Sequence, residues 1–258
     1  MQIRLLQRKG NVDEKRFLAG LNDTLLKLKG PLDVEIKLQH FSQLGWPVVE
    51  INGDDVEIFG ELLTEKIGVT PYNLSRIELH GNYRGTVKSF DSDLIVDIGL
   101  EQPKAAYVKV KLSSVRAQLA DGKGWLPPRE IQELYSLVPE TPISIRITKC
   151  QNESKLEGWL SDTQTKMFDD WINCGLDRIQ VYDCLRPRLD WAMTKAKLER
   201  DVVSIDQMNL TTHSVLCKVG TDAVGLIPKL GAILRQSELR PFIPQRVKGK
   251  RGELSHGL

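Results

Sequence analysis

The sequence predicts an α+β chain in which a small α/β domain is followed by two β-barrel modules. Two observations point to the barrels and one to the front. The stretch Gly85 to Gly99, GTVKSFDSDLIVDIG, alternates apolar and polar residues on both sides of a polar break at Asp91 to Asp93, the pattern of two strands joined by a tight turn. Its opening V-x-S-apolar-D returns at Val202 to Asp206, with a second strand at Ser214 to Val219 closed by Gly220. Ahead of both, helical and strand periodicities succeed one another in the order β-α-β-β-α, as expected of a small sheet with two helices on one face.

In the front segment, residues 1–75, Gln2 to Gln7 reads as a strand. Asp13 supplies an N-cap for a helix whose face carries Phe17, Leu18, Leu21, Leu25 and Leu28, and Gly30-Pro31 stops it. Leu32 to His40 alternates, Gly45-Trp46-Pro47 turns the chain, and Val48 to Ile51 is the next strand. Asp54 and Glu57 have capping-box spacing ahead of Val56, Phe59, Leu63 and Ile67. A further strand at Ile77 to His80 would complete a ferredoxin-like domain.

Residues 76–160 continue with the hairpin, then a strand at Ala105 to Leu112 and a helix opened by Pro127-Pro128 with Ile131, Leu134 and Tyr135 on one face. Strands follow at Ile143 to Thr148 and Lys155 to Leu160. Three strands, a helix and two strands is the order of a five-stranded OB-type barrel. Residues 161–240 open with the capping-box spacing of Ser161 and Gln164 and the apolar face Met167, Phe168, Trp171 and Ile172. A strand at Arg178 to Asp183 and a helix begun by Pro187 lead to three strands at Val202 to Asp206, Ser214 to Val219 and Ala223 to Pro228. These make a second barrel that is permuted or incomplete. Residues 241–258 form a basic tail, read either as a disordered arm that orders on docking to phosphate or as a solubilising end.

Composition narrows the function. The chain has 258 residues, 41% of them hydrophobic, enough for two or three cores, and a net charge of +2 that by itself favours no partner. The front is slightly acidic, and the positive excess gathers at the end, where Arg240, Arg246, Lys248, Lys250 and Arg251 meet no acid before Glu253. No apolar run of membrane-spanning length and no secretory signal pattern occurs, so a cytoplasmic protein is expected. The four cysteines contain no C-x-x-C pair and read as reduced thiols, and no metal or cofactor is expected. No P-loop, G-x-G-x-x-G, H-E-x-x-H or G-x-S-x-G motif occurs.

The motifs themselves resemble the S1 RNA-binding subgroup of OB barrels. Gly85-Thr86-Val87 and Val96-Asp97-Ile98-Gly99 look like that family's first two strands, and Gly225-Leu226-Ile227-Pro228 looks like its third-strand G-L-[IV]-[HP] stretch. The whole chain also resembles an uncharacterised conserved archaeal protein family with the same order of modules. The S1 resemblance implies a non-enzymatic RNA-binding protein on or near the translation or RNA-processing machinery, with single-stranded or ribosomal RNA as partner. The chain departs from the pattern where base-stacking aromatics belong, at Ser92 and Ile95, and in the second copy it offers only His213.

The candidate RNA-binding residues are accordingly Arg84, Lys88, Phe90, Tyr107, Lys109, Lys111 and Lys218, together with the tail residues Arg246, Lys248, Lys250 and Arg251. The tryptophans Trp46, Trp159, Trp171 and Trp191 are expected in cores, with Trp125 set apart in its Gly- and Pro-rich loop. Two other classes stay open. One is a protein-protein adapter that uses the front domain. The other is a metal-dependent phosphoryl-transfer enzyme drawing on Asp162, Asp169, Asp170, Asp177 and Asp183, although their spacing matches no ligand loop.

Overall fold

The computed structural model describes residues 1–120, 126–151 and 155–255. Three sheets organise the chain. In the front segment, β1 (Gln2–Arg4), β3 (Pro47–Asn52) and β2 (Glu35–Phe41) form an antiparallel sheet in that order. It is covered by α1 (Glu14–Lys29) and α2 (Val56–Leu62), which bury Phe17, Leu21, Leu25, Phe59 and Val49. Asp13 caps α1 as predicted, accepting the Arg16 N–H at 3.1 Å. The capping box of Asp54 and Glu57 does not form; Asp55 is the N-cap of α2 and its carboxylate accepts the Asp33 N–H at 2.8 Å.

Ile77 to His80 is not a strand. His80 takes a positive φ of 67°, which turns the chain there, so the front sheet keeps three strands and is not ferredoxin-like. In its place β4 (Tyr72–Asn73) runs parallel to the barrel strand β6 (Leu94–Gln102).

The predicted hairpin is β5 (Asn82–Phe90) and β6, paired antiparallel. With β7 (Ala106–Val110), β8 (Pro142–Gln151) and β9 (Lys155–Leu160) it closes an OB-like five-stranded barrel through the neighbours β5-β6-β7-β9-β8-β5. Two helices lie between β7 and β8: α4 (Pro128–Tyr135), which Pro128 opens, and α3 (Leu112–Leu119), which the periodicity did not reveal. Val87, Leu94, Val96, Val108, Ile145 and Ile147 fill the barrel. Gly99 has φ +80°, and an added Cβ would lie 2.3 Å from Thr70 Cγ2. Gly99→Ala is therefore expected to cost about 2 kcal/mol or more, read as a lowered midpoint in chemical denaturation.

After α5 (Asp162–Cys174), capped by Ser161, the second predicted barrel is absent. The chain instead forms β10 (Arg178–Val181), α6 (Arg186–Ala196), β11 (Val202–Gln207), β12 (His213–Cys217), α7 (Ala223–Gly231) and β13 (Leu239–Phe242). Its sheet is fully antiparallel in the order β11-β12-β10-β13. This β-α-β-β-α-β connectivity is the ferredoxin-like arrangement that the sequence had placed in the front segment. Gly225 to Pro228, read as a barrel strand, belongs to α7, because the Asp222 carboxylate caps Val224 and Gly225 and starts a helix there. One face of the sheet packs on α6 and α7 through Ile179, Val181, Val215, Leu189 and Leu226. The other carries Arg178, whose guanidinium lies over the Trp171 ring of α5 and pairs with Asp206 at 2.9 Å.

The basic tail is not an extended arm, since Pro244–Ser255 forms α8. Its Val247 is buried against the barrel unit's core, and its Arg251 donates to Leu119 O, Tyr135 Oη and Asp169 at 3.0 to 3.1 Å.

The segment between β1 and α1 joins all three units. Gln7 bridges Ile67 O and the Leu210 N–H, Thr211 Oγ1 donates to Arg8 O, and Asn11 donates to Asp183. At its centre Arg8 lies over the Trp46 ring and forms ion pairs with Asp97 on β6 and with Glu140.

Candidate nucleic-acid interface

Strand parity decides which side chains the outer face of the barrel presents. On β7 the side chains of Ala106, Val108 and Val110 point inward, which sends Tyr107 and Lys109 outward. On β9, Leu156 and Leu160 are buried and Glu157 and Trp159 face out. On β8, Ile143, Ile145 and Ile147 are inside and Arg146 is outside, directly opposite Trp159. The register runs Ser89, Ile95, Lys109, Glu157 and Lys149 across five neighbouring strands. Gly158 lets these strands approach, since a Cβ there would come within 2.9 Å of Arg146 O and 3.0 Å of Val108 Cγ1.

The face carries five cations and two aromatic rings. Lys88 Nζ lies 3.4 Å from the centroid of the half-buried Tyr107 ring, and no carboxylate among the described residues pairs with it. Trp159 is 51% exposed. Lys109 pairs with Asp93 at 2.6 Å, Lys111 and Lys149 share Glu157 at 3.1 and 3.7 Å, and Arg146 reaches Asp162 at 3.8 Å. The Lys111 hydrogen bond, with Lys149 and Lys109 nearby, holds the Glu157 carboxyl below its ordinary value. Slight burial pushes Asp93 upward, but the Lys109 ammonium and the Leu112 N–H outweigh it and hold its pKa down. These are solvent-exposed ion pairs, which contribute little to stability and exchange partners readily.

Of the candidates, Lys88, Tyr107, Lys109 and Lys111 lie together on this face, and the others do not. Phe90 is 3% exposed inside the barrel and cannot stack on a base. Arg84 donates to Glu65 O at 3.1 Å, tying the barrel to the front unit. Lys218 is exposed just beyond β12, in the ferredoxin-like unit. Arg246 and Lys248 lie exposed on α8, while Lys250 pairs with Glu130 at 3.0 Å and Arg251 is held against the barrel.

Three contributors escaped the sequence reading: Arg146, Lys149 and above all Trp159, which its neighbours Gly158 and Leu160 disguised as core. Its position two residues after Glu157 on one strand was the available signal. Trp191 is also 45% exposed, whereas Trp46 and Trp171 are buried; Trp125 lies outside the described residues.

Four of the five aspartates considered for a metal are engaged separately, Asp162 with Arg146, Asp169 with Arg251, Asp177 with the Ala223 N–H and Asp183 with Asn11, and Asp170 lies exposed on α5. Among the described residues no group of three or more His, Cys, Asp or Glu is placed to hold a metal ion, and no helix is long and apolar enough to cross a membrane.

His213 is fully buried, with Nε2 donating to Cys184 O at 2.8 Å and Nδ1 without a partner. Burial lowers its pKa to about 4, with Arg186 adding to the effect. The unfolded chain takes up this proton near pH 6.5 and the folded chain only near 4. Stability is therefore expected to fall by up to about 3 kcal/mol as pH drops through that window. Urea denaturation at pH 7 and pH 4.5 checks this, and His213→Gln should remove that share of the pH dependence.

Two family models match the sequence: the DUF2110 central domain over residues 77–172 and the DUF2110 C-terminal domain over residues 176–241. The first spans the barrel and α5, the second nearly all of the ferredoxin-like unit, and together they cover more than half of the chain. No curated protein matches. Among solved structures, a crystal structure of a Thermus thermophilus protein is 12% identical with a TM-score of 0.20. That alignment covers all of this chain and 43% of the other, so the chain spans less than half of that protein's length, and a likeness of this size carries no argument.

Proposed function

The chain belongs to the DUF2110 family, and from this footing we propose that it binds single-stranded RNA on the outer face of its barrel. The observation that carries the reading is the interleaving of Tyr107 and Trp159 with Lys88, Lys109, Lys111, Arg146 and Lys149 on one face. Binding of single strands without strict sequence preference needs flat side chains for the bases and cations that track the phosphates. In this reading Trp159 and Tyr107 hold bases while the cations exchange their carboxylate partners for phosphate oxygens. The barrel serves as the rigid support, because the inward residues of the same strands are packed in its core.

Glu157 acts here as an internal competitor for the RNA phosphate, since it holds Lys111 and Lys149 at once. Glu157→Gln frees both lysines and removes one like charge facing the ligand. Affinity for an oligouridine is expected to rise about five-fold at low salt, on the scale of one or two surface ion pairs. Fluorescence anisotropy with the full chain measures it, and unchanged or weaker binding would show that these lysines are not the contact set.

A further inference from the structure

A second positively charged site lies away from the barrel face. Where the start of α1 meets α6 and the connection from α7 to β13, a groove of about 350 Å³ is bordered by Arg16, Arg188 and Arg235. These arginines come from three separate parts of the chain. None has a carboxylate within ion-pair distance among the described residues, whereas Arg129, Arg186 and Arg240 on the same molecule each have one. Arg188 and Arg235 are tethered only to backbone carbonyls, those of Ile233 at 3.3 Å and Ala232 at 3.4 Å, which leaves N–H groups of both guanidinium forks free of acid. The Trp191 ring, 4.1 Å from the Arg188 guanidinium, restricts that side chain further.

Two acids also border the groove; each accepts a hydrogen bond from a neutral N–H and keeps its charge, so the lining carries one positive charge in excess. Asp13 caps α1 through the Arg16 N–H, and Asp183 accepts from Asn11 at 2.8 Å. The cap residues of two helices, Asp13 of α1 and Leu185 of α6, line the same space, so both helices turn their positive ends toward it. Leu185 brings no side-chain acceptor to the start of α6. Three unpaired guanidinium groups around a cleft of this size form a receptor for an oxyanion with several acceptor oxygens.

We propose that this groove binds a phosphate-bearing ligand, with Arg16, Arg188 and Arg235 as its anion-binding set. The ligand is either a free phosphorylated compound or a phosphate of an RNA strand, and the two sources are separable by experiment. The proposal stands independently of the barrel reading, because no residue is shared between the two sites.

Calorimetric titration of the full chain with pyrophosphate tests it. Saturable binding is expected, weakened about tenfold or more when Arg16, Arg188 and Arg235 are all replaced by glutamine. Arg16→Glu alone should give a loss in the same direction. Arg16 is exposed and makes no side-chain ion pair, so this variant keeps the test valid if the triple variant folds poorly. A Lys111→Ala/Trp159→Ala variant, disabled on the barrel face, distinguishes the sources. RNA that still binds it and is displaced by pyrophosphate identifies an RNA phosphate in the groove. Pyrophosphate binding without RNA binding identifies a free ligand. Absence of saturable pyrophosphate binding, or equal affinity in the arginine variants, would overturn the proposal.

Discussion

Replacing Arg8 with alanine is expected to destabilise the chain by about 3–5 kcal/mol. The Asp97 side chain is only 3% exposed, and Arg8 is its sole ion-pair partner among the described residues. Its other oxygen accepts the Gly99 N–H at 2.8 Å, so the carboxylate cannot turn to solvent when the guanidinium is lost. Burial already raises the Asp97 pKa despite the ion pair, and it raises that of Glu140 beside it for the same reason. Without Arg8, both acids face each other in a poorly solvated junction.

The Arg8→Ala/Asp97→Asn double variant removes the stranded charge and should recover part of the loss, giving a coupling energy well above that of an exposed pair. Chemical denaturation of the four proteins at pH 7 closes the cycle. A loss below about 1 kcal/mol for Arg8→Ala would show that the junction does not hold the units together.

Trp159→Ala is expected to weaken RNA binding by about 1–3 kcal/mol, five-fold to more than a hundred-fold, while leaving folding almost untouched. The separation of the two effects follows from the position of the ring, which is half in solvent on the outer side of β9. Trp159→Phe keeps a flat surface and should retain most of the affinity. Phe90→Ala supplies the contrast. It removes a barrel core ring and should cost about 3–5 kcal/mol of stability, with any loss of RNA affinity following from unfolding alone.

Much of the barrel was legible because a half-buried strand advertises its parity. Val87, Val96 and Ile98 alternate with polar residues, and the same count along β7 correctly put Tyr107 and Lys109 on one side. The second unit was misread at two points: β13 was not seen, and Ala223 to Pro228 was taken for a strand, where a short apolar run satisfies strand and helix equally well. The deciding signals were Asp222 as an N-cap and the spacing of Leu226, Leu230 and Leu234. With that run helical the order becomes β-α-β-β-α, and the closing strand β13, only four residues long and interrupted by Pro241, still has to come from the fold.

The tail could not be read locally. Its lack of acids is genuine, but the acids that hold Lys250 and Arg251 are Glu130 and Asp169, which are distant in sequence. The Arg8 junction was hidden for the same reason, since Arg8, Trp46, Asp97 and Glu140 converge only through the fold.

On the proposed reading, the barrel's outer face binds single-stranded RNA through stacked rings and exchangeable ion pairs. The most direct test of that reading is the affinity of the full chain for a labelled oligouridine between about 50 and 300 mM salt, beside the Lys111→Ala/Trp159→Ala variant. The predicted result is a linear fall of log affinity with log salt, with a slope of about −2 to −3 for three or four phosphates contacted, and a weaker, shallower line for the variant. No binding at the lowest salt, or identical lines for the two proteins, would contradict it.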